Sequence, residues 1–439
     1  MDYRRLAIRC AALLVALWAL FCLLLAAVNS IDRAAIERGI AASAESPLLT
    51  RVYSYDHRVL GTPIAYDNNR FIIEIARQGW AGTPLGTAIA AEIADVERDG
   101  AVTEFSYFRY WHGWQVLTTA CLALGSIAVI QVAVGALTLA AAGLLLALLK
   151  RYIGTACAVA FVVVLGLSTN LGFCCVGDLT LGISFWTAAL FCDALLYLGL
   201  RARALGWRDA RLTELLVLIV IAAGGVYCFL DFLTVPAAVL ALTVFCALIA
   251  SGASRDVPAR LLLVRFVAFT LVFMLGFVLT WALKWVLAAA VMGFDKVAES
   301  VSVEMALWID HGGGNGLPQP DWPAALQSFY RFSPRLFALV VPLGYITLNG
   351  PVMAASFAVG IILFVLVVVR MVRRRFLIPV LVLMLPACFV PLYTLIMSTH
   401  AIVHIPVFSS RGWAVSFAIA ICIGLMLALE RGRSAAVIE

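Results

Sequence analysis

Apolar residues run along this chain in long blocks separated by short polar gaps, not at the two-residue or three-to-four-residue spacing of elements with one wet face. Crossing a hydrocarbon layer of ~30 Å takes about 20 mostly apolar residues in helical form, and counting such runs gives about ten. They are Leu6 to Val28, Ala128 to Leu149, Thr155 to Asn170, Thr180 to Leu200, Leu212 to Leu230, Val235 to Ile249, Leu262 to Lys284, Met353 to Val369, Phe376 to Met397 and Trp413 to Leu429. The pattern predicts an all-α, polytopic integral membrane protein with two large outer loops. An even number of passes places both ends of the chain on the same side.

The gaps divide by charge. Arg4, Arg5 and Arg9, Lys150 and Arg151, Arg201, Arg203, Arg208 and Arg211, Arg255, Arg260 and Arg265, Arg370, Arg373, Arg374 and Arg375, and Arg431 and Arg433 fall in alternate turns. Lys and Arg collect in short cytoplasmic loops, so these turns are expected inside the cell together with both termini. All five histidines, His57, His112, His311, His400 and His404, fall in or beside gaps of the other set. Ligand-capable groups are therefore expected outside.

This reading organises the chain as an anchor helix over 1–28, a first outer loop over 29–113, helices two to seven over 114–285, a second long outer loop over 286–352, and the last three helices with a tail over 353–439. The first segment has the basic start of a signal peptide, but its apolar run exceeds the ~7–15 residues of a signal core and reads as an uncleaved anchor. Within the first outer loop, Asp32 to Ala44, Asn69 to Arg77 and Thr87 to Val96 are helix-like, and Gly61-Thr62-Pro63 and Gly82-Thr83-Pro84 are turn signals. No internal repeat is visible, which counts against transporters built from duplicated halves.

Composition agrees with the pattern. Hydrophobic residues make up 64% and charged residues 13% of the chain, and the mean hydropathy is +1.03; a soluble globule has ~45–50% apolar residues. The net charge of +6 reports loop topology and anionic headgroups, not nucleic acid. Most of the eleven cysteines lie inside apolar runs and read as small buried hydrophobes. Cys174 and Cys175 approach the outer surface, where a strained vicinal disulfide competes with plain packing as the reading. No metal-type cysteine spacing occurs.

A few polar residues stand out. Asp67, in YDNNRF, precedes an amphipathic run and reads either as a helix cap or as a base. Arg109, Tyr110, Trp111 and His112, in FRYWHGW, suit an interfacial aromatic belt or a phosphate joined to a sugar. Asp231, in DFLTVP, is an acid among apolar residues at membrane depth, and Lys284, in LTWALKW, is its expected partner, sharing a helical face with Trp281 and Trp285. His400 and His404 precede Arg411, in STHAIVHIPVFSSR; the missing glutamate of an HExxH pattern and the nearby Pro406 argue against zinc and for orientation of a phosphate. Asp193 lies toward the inner half of its pass and is expected to be paired structurally. No phosphate loop, dinucleotide fingerprint or nucleophile elbow is present.

With these segments and the loop plan together, the chain resembles the GT-C superfamily of polytopic glycosyltransferases and, more specifically, poorly characterised bacterial membrane proteins of this shape. The resemblance implies a multi-pass protein of the bacterial inner membrane that moves a sugar from a polyprenyl-phosphate donor to a cell-envelope glycan or lipid acceptor outside the cytoplasm. It implies Asp67 as the base with Asp231 second, Arg109, Lys284 and Arg411 on the phosphate, and Tyr110, Trp111, Trp281, His112, His400 and His404 around phosphate and sugar. No cofactor is required, although a divalent cation, Mg or Mn, bridging an acid to phosphate is compatible. The acidic pair common soon after the first pass of that superfamily is missing here, since Asp67 stands with Asn68 and Asn69. A transporter or flippase of a lipid-linked glycan, and a non-catalytic assembly subunit, are the alternatives.

Overall fold

The computed structural model describes residues 2–46, 58–59, 62–63, 68–78, 83–96, 102–168, 171–231, 234–252, 258–309, 369, 377–396 and 410–435. The helices are α1 (Tyr3–Val28), α2 (Arg33–Ala41), α3 (Asn68–Arg77), α4 (Pro84–Ala90), α5 (Gln115–Leu124), α6 (Ile127–Ile153), α7 (Thr155–Leu167), α8 (Leu171–Gly177), α9 (Leu179–Ala204), α10 (Asp209–Leu230), α11 (Pro236–Ala250), α12 (Ala259–Met292) and α13 (Phe294–Ile309). Short helices over Leu377–Met384 and Phe389–Ile396 and a C-terminal helix, Ser410–Ala435, complete the described chain. Of these, α1, α6, α9, α10 and α12 are long and apolar enough to cross a membrane, and α7 with α8 makes a sixth if the bent pair is one span.

That number is smaller than the apolar blocks predict. Helices do occupy nine of the ten expected segments, but α11 and the apolar part of the C-terminal helix are short, and Phe376 to Met397 is broken into two helices joined by a 3-10 turn, Leu385–Cys388, that carries Pro386. Proline removes a ladder hydrogen bond and clashes with the preceding turn, which accounts for the break. The expected span Met353 to Val369 lies outside the described residues, apart from Val369.

Burial separates the helices into two kinds. Along α1, the buried positions Leu6, Leu14, Phe21, Leu25 and Val28 form one stripe, while Ile8, Val15, Leu20 and Leu23 are exposed. A helix with apolar residues on its open side is a lipid-facing helix, because hydrocarbon asks only that backbone polar groups be satisfied within the helix. α11 is the opposite case: it is apolar all round and buried all round, from Ala237 to Ala250, with α9, α12 and the C-terminal helix against it. α10 and α12 run side by side in backbone contact. A Cβ at Gly224 would stand 2.2 Å from the Phe273 carbonyl oxygen, and one at Gly276 would stand 2.2 Å from that of Ile221. Small residues at a crossing let helices approach this closely, the form of packing that substitutes for the hydrophobic effect in lipid.

The two ends of the bundle differ chemically. At the end holding the arginine-rich turns, Arg9 is paired with Glu214. There Arg265 grips both oxygens of Asp209 at 2.5 and 2.6 Å while donating to the Ser251 carbonyl at 2.7 Å. Arg203 lies over the Tyr152 ring and Arg211 over that of Trp207. At the other end, the loop between α1 and α5 carries α2, α3 and α4 and two antiparallel ribbons. In these, β1 (Arg58–Val59) pairs with β2 (Thr62–Pro63), and β3 (Glu92–Val96) with β4 (Val102–Ser106), Glu92 opposite Ser106 and Val96 opposite Val102.

The ribbons qualify the all-helical expectation. Asp32 to Ala44 and Asn69 to Arg77 are helical as their spacing predicts, but Thr87 to Val96 is not one helix. Ala91 adopts φ 45°, ends α4 and hands the chain to β3; a non-glycine residue in that left-handed region stops a helix because the next turn cannot continue from it. Cys174 and Cys175 lie buried in α8 and are not joined in a disulfide.

Candidate functional site

The segment Tyr107 to Trp114 carries the chain from β4 back into the bundle and sets the site. The Tyr107 amide donates to the Ala91 carbonyl at 2.9 Å, and the Gly113 amide to that of Phe229 at 2.8 Å. The second contact demands glycine: a Cβ at Gly113 would sit 2.4 Å from the Phe229 ring and 2.5 Å from its oxygen. Just before it, His112 is held at φ 54°.

The motifs FRYWHGW and LTWALKW, far apart in sequence, meet here. The Trp111 indole donates to the Thr280 carbonyl at 2.9 Å, the Trp281 indole to the Arg109 carbonyl at 3.0 Å, and the Trp18 indole, from α1, to the Thr280 hydroxyl at 3.0 Å. Trp111 is fully buried, edge-on to Phe21 and Phe229, whose own rings stack at 4.1 Å. Indole donors placed in apolar surroundings find acceptors because an unmet N–H costs more than the bond contributes. Trp281 and Trp285 lie 4.7 Å apart on the same helix.

Lys284 is fully buried in this nest. Its ammonium donates to the Ile89 carbonyl at 2.7 Å and lies 5.9 Å from the centre of the Trp111 ring. Ile89 is in the last turn of α4, where carbonyls lack intrahelical partners and the helix end is electronegative. The cation therefore completes the end of α4, and among the described residues no carboxylate pairs with it. The expected Lys284–Asp231 pair is not formed, because Asp231 is engaged within its own turn. It accepts from the Tyr227 hydroxyl at 2.5 Å, the Thr234 amide at 2.8 Å and the Thr234 hydroxyl at 2.7 Å, fixing the passage from α10 to α11.

Arg109 lies over Tyr107 at 4.3 Å and Tyr110 at 5.3 Å, and Tyr107 stacks on Phe71 of α3. His112 is fully buried between Tyr107, Tyr110 and Trp114. Burial, and then the charges of Lys284 and Arg109, hold its imidazole well below the ordinary histidine range, so it is neutral at pH 7.

Arg411 belongs to a second cluster. It lies in the first turn of the C-terminal helix, is fully buried, and its guanidinium stands near the Cys174 thiol and Asp178. Asp178 caps α9, accepting from the Leu181 amide at 3.0 Å and the Thr180 hydroxyl at 2.8 Å. Asn69 clasps the same junction, donating to the Gly177 carbonyl at 2.7 Å and accepting from the Leu179 amide at 3.0 Å, and so ties α3 to α9.

The structure thus brings Arg109, Tyr110, Trp111, His112, Trp281 and Lys284 together, with Asp231 in the adjoining turn and Arg411 beside the α8–α9 junction. Asp67, His57, His311, His400 and His404 lie outside the described residues. Asn69, a candidate cap beside Asp67 by sequence, instead bonds the α8–α9 junction, and Asp178 escaped notice although an acid directly before an apolar run is the pattern of a helix cap. Among the described residues no three His, Cys, Asp or Glu side chains stand close enough together to hold a metal ion. Comparison with family models, with curated proteins and with solved structures gives no match to this chain.

Proposed function

We propose that this end of the bundle binds the phosphate of a polyprenyl-phosphate sugar and transfers the sugar to a cell-envelope acceptor, in a bacterial inner-membrane protein whose termini both lie in the cytoplasm. The observation that carries the reading is the buried Lys284 ammonium, which has a carbonyl and a ring face for company and no carboxylate among the described residues. A buried cation without a counter-charge costs several kcal/mol, and an anionic ligand offsets that cost. The rings around it suit a sugar, since flat apolar faces with fixed N–H and O–H groups bind amphipathic rings.

In this reading an ionised carboxylate takes the proton of the acceptor hydroxyl, the hydroxyl oxygen bonds to the sugar's anomeric carbon, and the bond from that carbon to the phosphate oxygen breaks. The lipid phosphate leaves as an anion stabilised by Lys284 and Arg109, with Arg411 toward the α8–α9 junction. Asp67 is the first choice for the base, because both oxygens of Asp231 already accept hydrogen bonds within its own turn, from Tyr227 and Thr234. His112, neutral, positions and does not supply charge.

The test is transfer in liposomes containing the full-length protein and a radiolabelled polyprenyl-phosphate sugar. Lys284→Met is expected to lose binding of polyprenyl phosphate, and Asp67→Asn to retain binding while losing transfer. Movement of the intact donor between leaflets without transfer would replace this reading with the flippase. Full transfer by both variants would remove the site assignment.

A further inference from the structure

A second chemical group lies far from the outer cluster and has no part in the proposed transfer. Asp193 sits in α9, eleven residues before the inner end at Ala204, about 16 Å along a helix that rises ~1.5 Å per residue. Its residue is 2% exposed, and neither carboxyl oxygen has a hydrogen-bond partner among the described residues. The structural pairing expected from sequence is not formed.

The surroundings explain why. From its own helix comes Cys192, whose sulfur is 3.9 Å from the Thr243 hydroxyl of α11. From α11 comes Cys246, near both Cys192 and Asp193, with Cys422 of the C-terminal helix on its far side. From α6 comes Tyr152, but its hydroxyl donates to the Leu196 carbonyl at 2.6 Å and its ring is covered by Arg203. The buried face of α10 is apolar until Tyr227 and Cys228 at its outer end. Thiols are weak donors, and no cation among the described residues lies within ion-pair distance of Asp193.

We infer that Asp193 is a proton-binding site inside the bundle. A carboxylate there is uncompensated in a low-dielectric interior, where a bare charge is far costlier than a neutral polar group; binding H+ as a covalent O–H removes the charge. The proton comes from water when the packing of α9 against α11 opens, and returns the same way. Sodium is a poor rival, since hard cations need several oxygen ligands and the neighbouring side chains are mostly thiols.

Infrared spectroscopy of the full-length protein in lipid at neutral pH tests this. The difference between wild type and Asp193→Asn is expected to contain one carboxylic-acid C=O band, which Asp193→Glu keeps at a shifted position. That band should move on transfer to D2O over the time of backbone exchange in α9. Should Asp193→Asn fail to fold, the wild type against Asp193→Glu carries the same comparison. A carboxylate pair of bands in place of the acid band would overturn the inference, as would an acid band that never responds to D2O. Neither result touches the proposed transfer at Lys284.

Discussion

The ammonium of Lys284 completes the C-terminal end of α4 by donating to the carbonyl of Ile89 at 2.7 Å, so a side chain from a bundle helix holds a short helix of the α1–α5 loop in place. One lysine thus joins the apolar bundle to the loop that covers its end, with its ammonium 5.9 Å from the centre of the Trp111 ring.

Replacing it separates support from binding. Lys284→Met relieves an uncompensated buried charge but leaves the Ile89 carbonyl without its donor, a loss of about 1–3 kcal/mol that the relief offsets. Thermal unfolding is expected to change by no more than about 1–2 kcal/mol in either direction. Binding of polyprenyl phosphate, measured by tryptophan quenching, should fall by at least about tenfold, the equivalent of ~1.4 kcal/mol.

His112 predicts a pH dependence. Its imidazole is held neutral in the folded protein, whereas in the unfolded chain it takes a proton below about pH 6.5. The unfolded state then binds more protons, so stability is full above that value and falls as the pH drops below it toward the folded-state value. Asn tolerates positive φ and does not titrate, so His112→Asn should flatten this limb of a melting-temperature profile between pH 4.5 and 7. An unchanged slope in the variant would assign the limb to other groups.

Asp231 divides two roles by magnitude. As a turn-forming acceptor alone, its change to Asn, which keeps a carbonyl oxygen, should cost about 1–3 kcal/mol of stability and leave transfer largely intact. Transfer reduced a hundredfold or more at unchanged melting temperature would instead make it the base, since a positioned acid or base contributes about 10²–10⁴-fold.

Gly113→Ala pushes a methyl group into Phe229 and its carbonyl. Overpacking of this kind costs about 1–3 kcal/mol, and here the neighbour includes backbone that cannot rotate away. Lower thermal stability and greater protease cleavage within residues 97–114 are expected. Gly86→Ala, which meets only the Thr83 hydroxyl at 3.2 Å, serves as the mild control.

Much of this was written in the order of residues. Apolar blocks located the helices because a lipid-facing or fully enclosed helix needs no polar side, and among the described residues Arg9 and Arg265, from two basic segments, both reach the first turns of α10, at Glu214 and Asp209. FRYWHGW and LTWALKW met because tryptophans at the same depth of two passes seek the same kind of acceptor. Partnerships were less legible. Asp231 and Lys284 share a depth, but a residue three positions away outcompeted a distant cation, since Thr234 reaches both oxygens without ordering a long side chain. The end of α4 at Ala91 carried no glycine to announce it. Helix length was overestimated wherever hydrophobicity was counted without proline, as around Pro386.

The enclosure of α11 dictates how the chain is made. Ribosomes deliver it well before the C-terminal helix that closes one of its sides, so on leaving the insertion machinery it must wait, its interior flank open to lipid or to a chaperone. Closure of that side therefore waits until Ser410–Ala435 has been made, and a chain cut short before Ser410 would leave this flank of α11 uncovered however well its earlier helices had inserted.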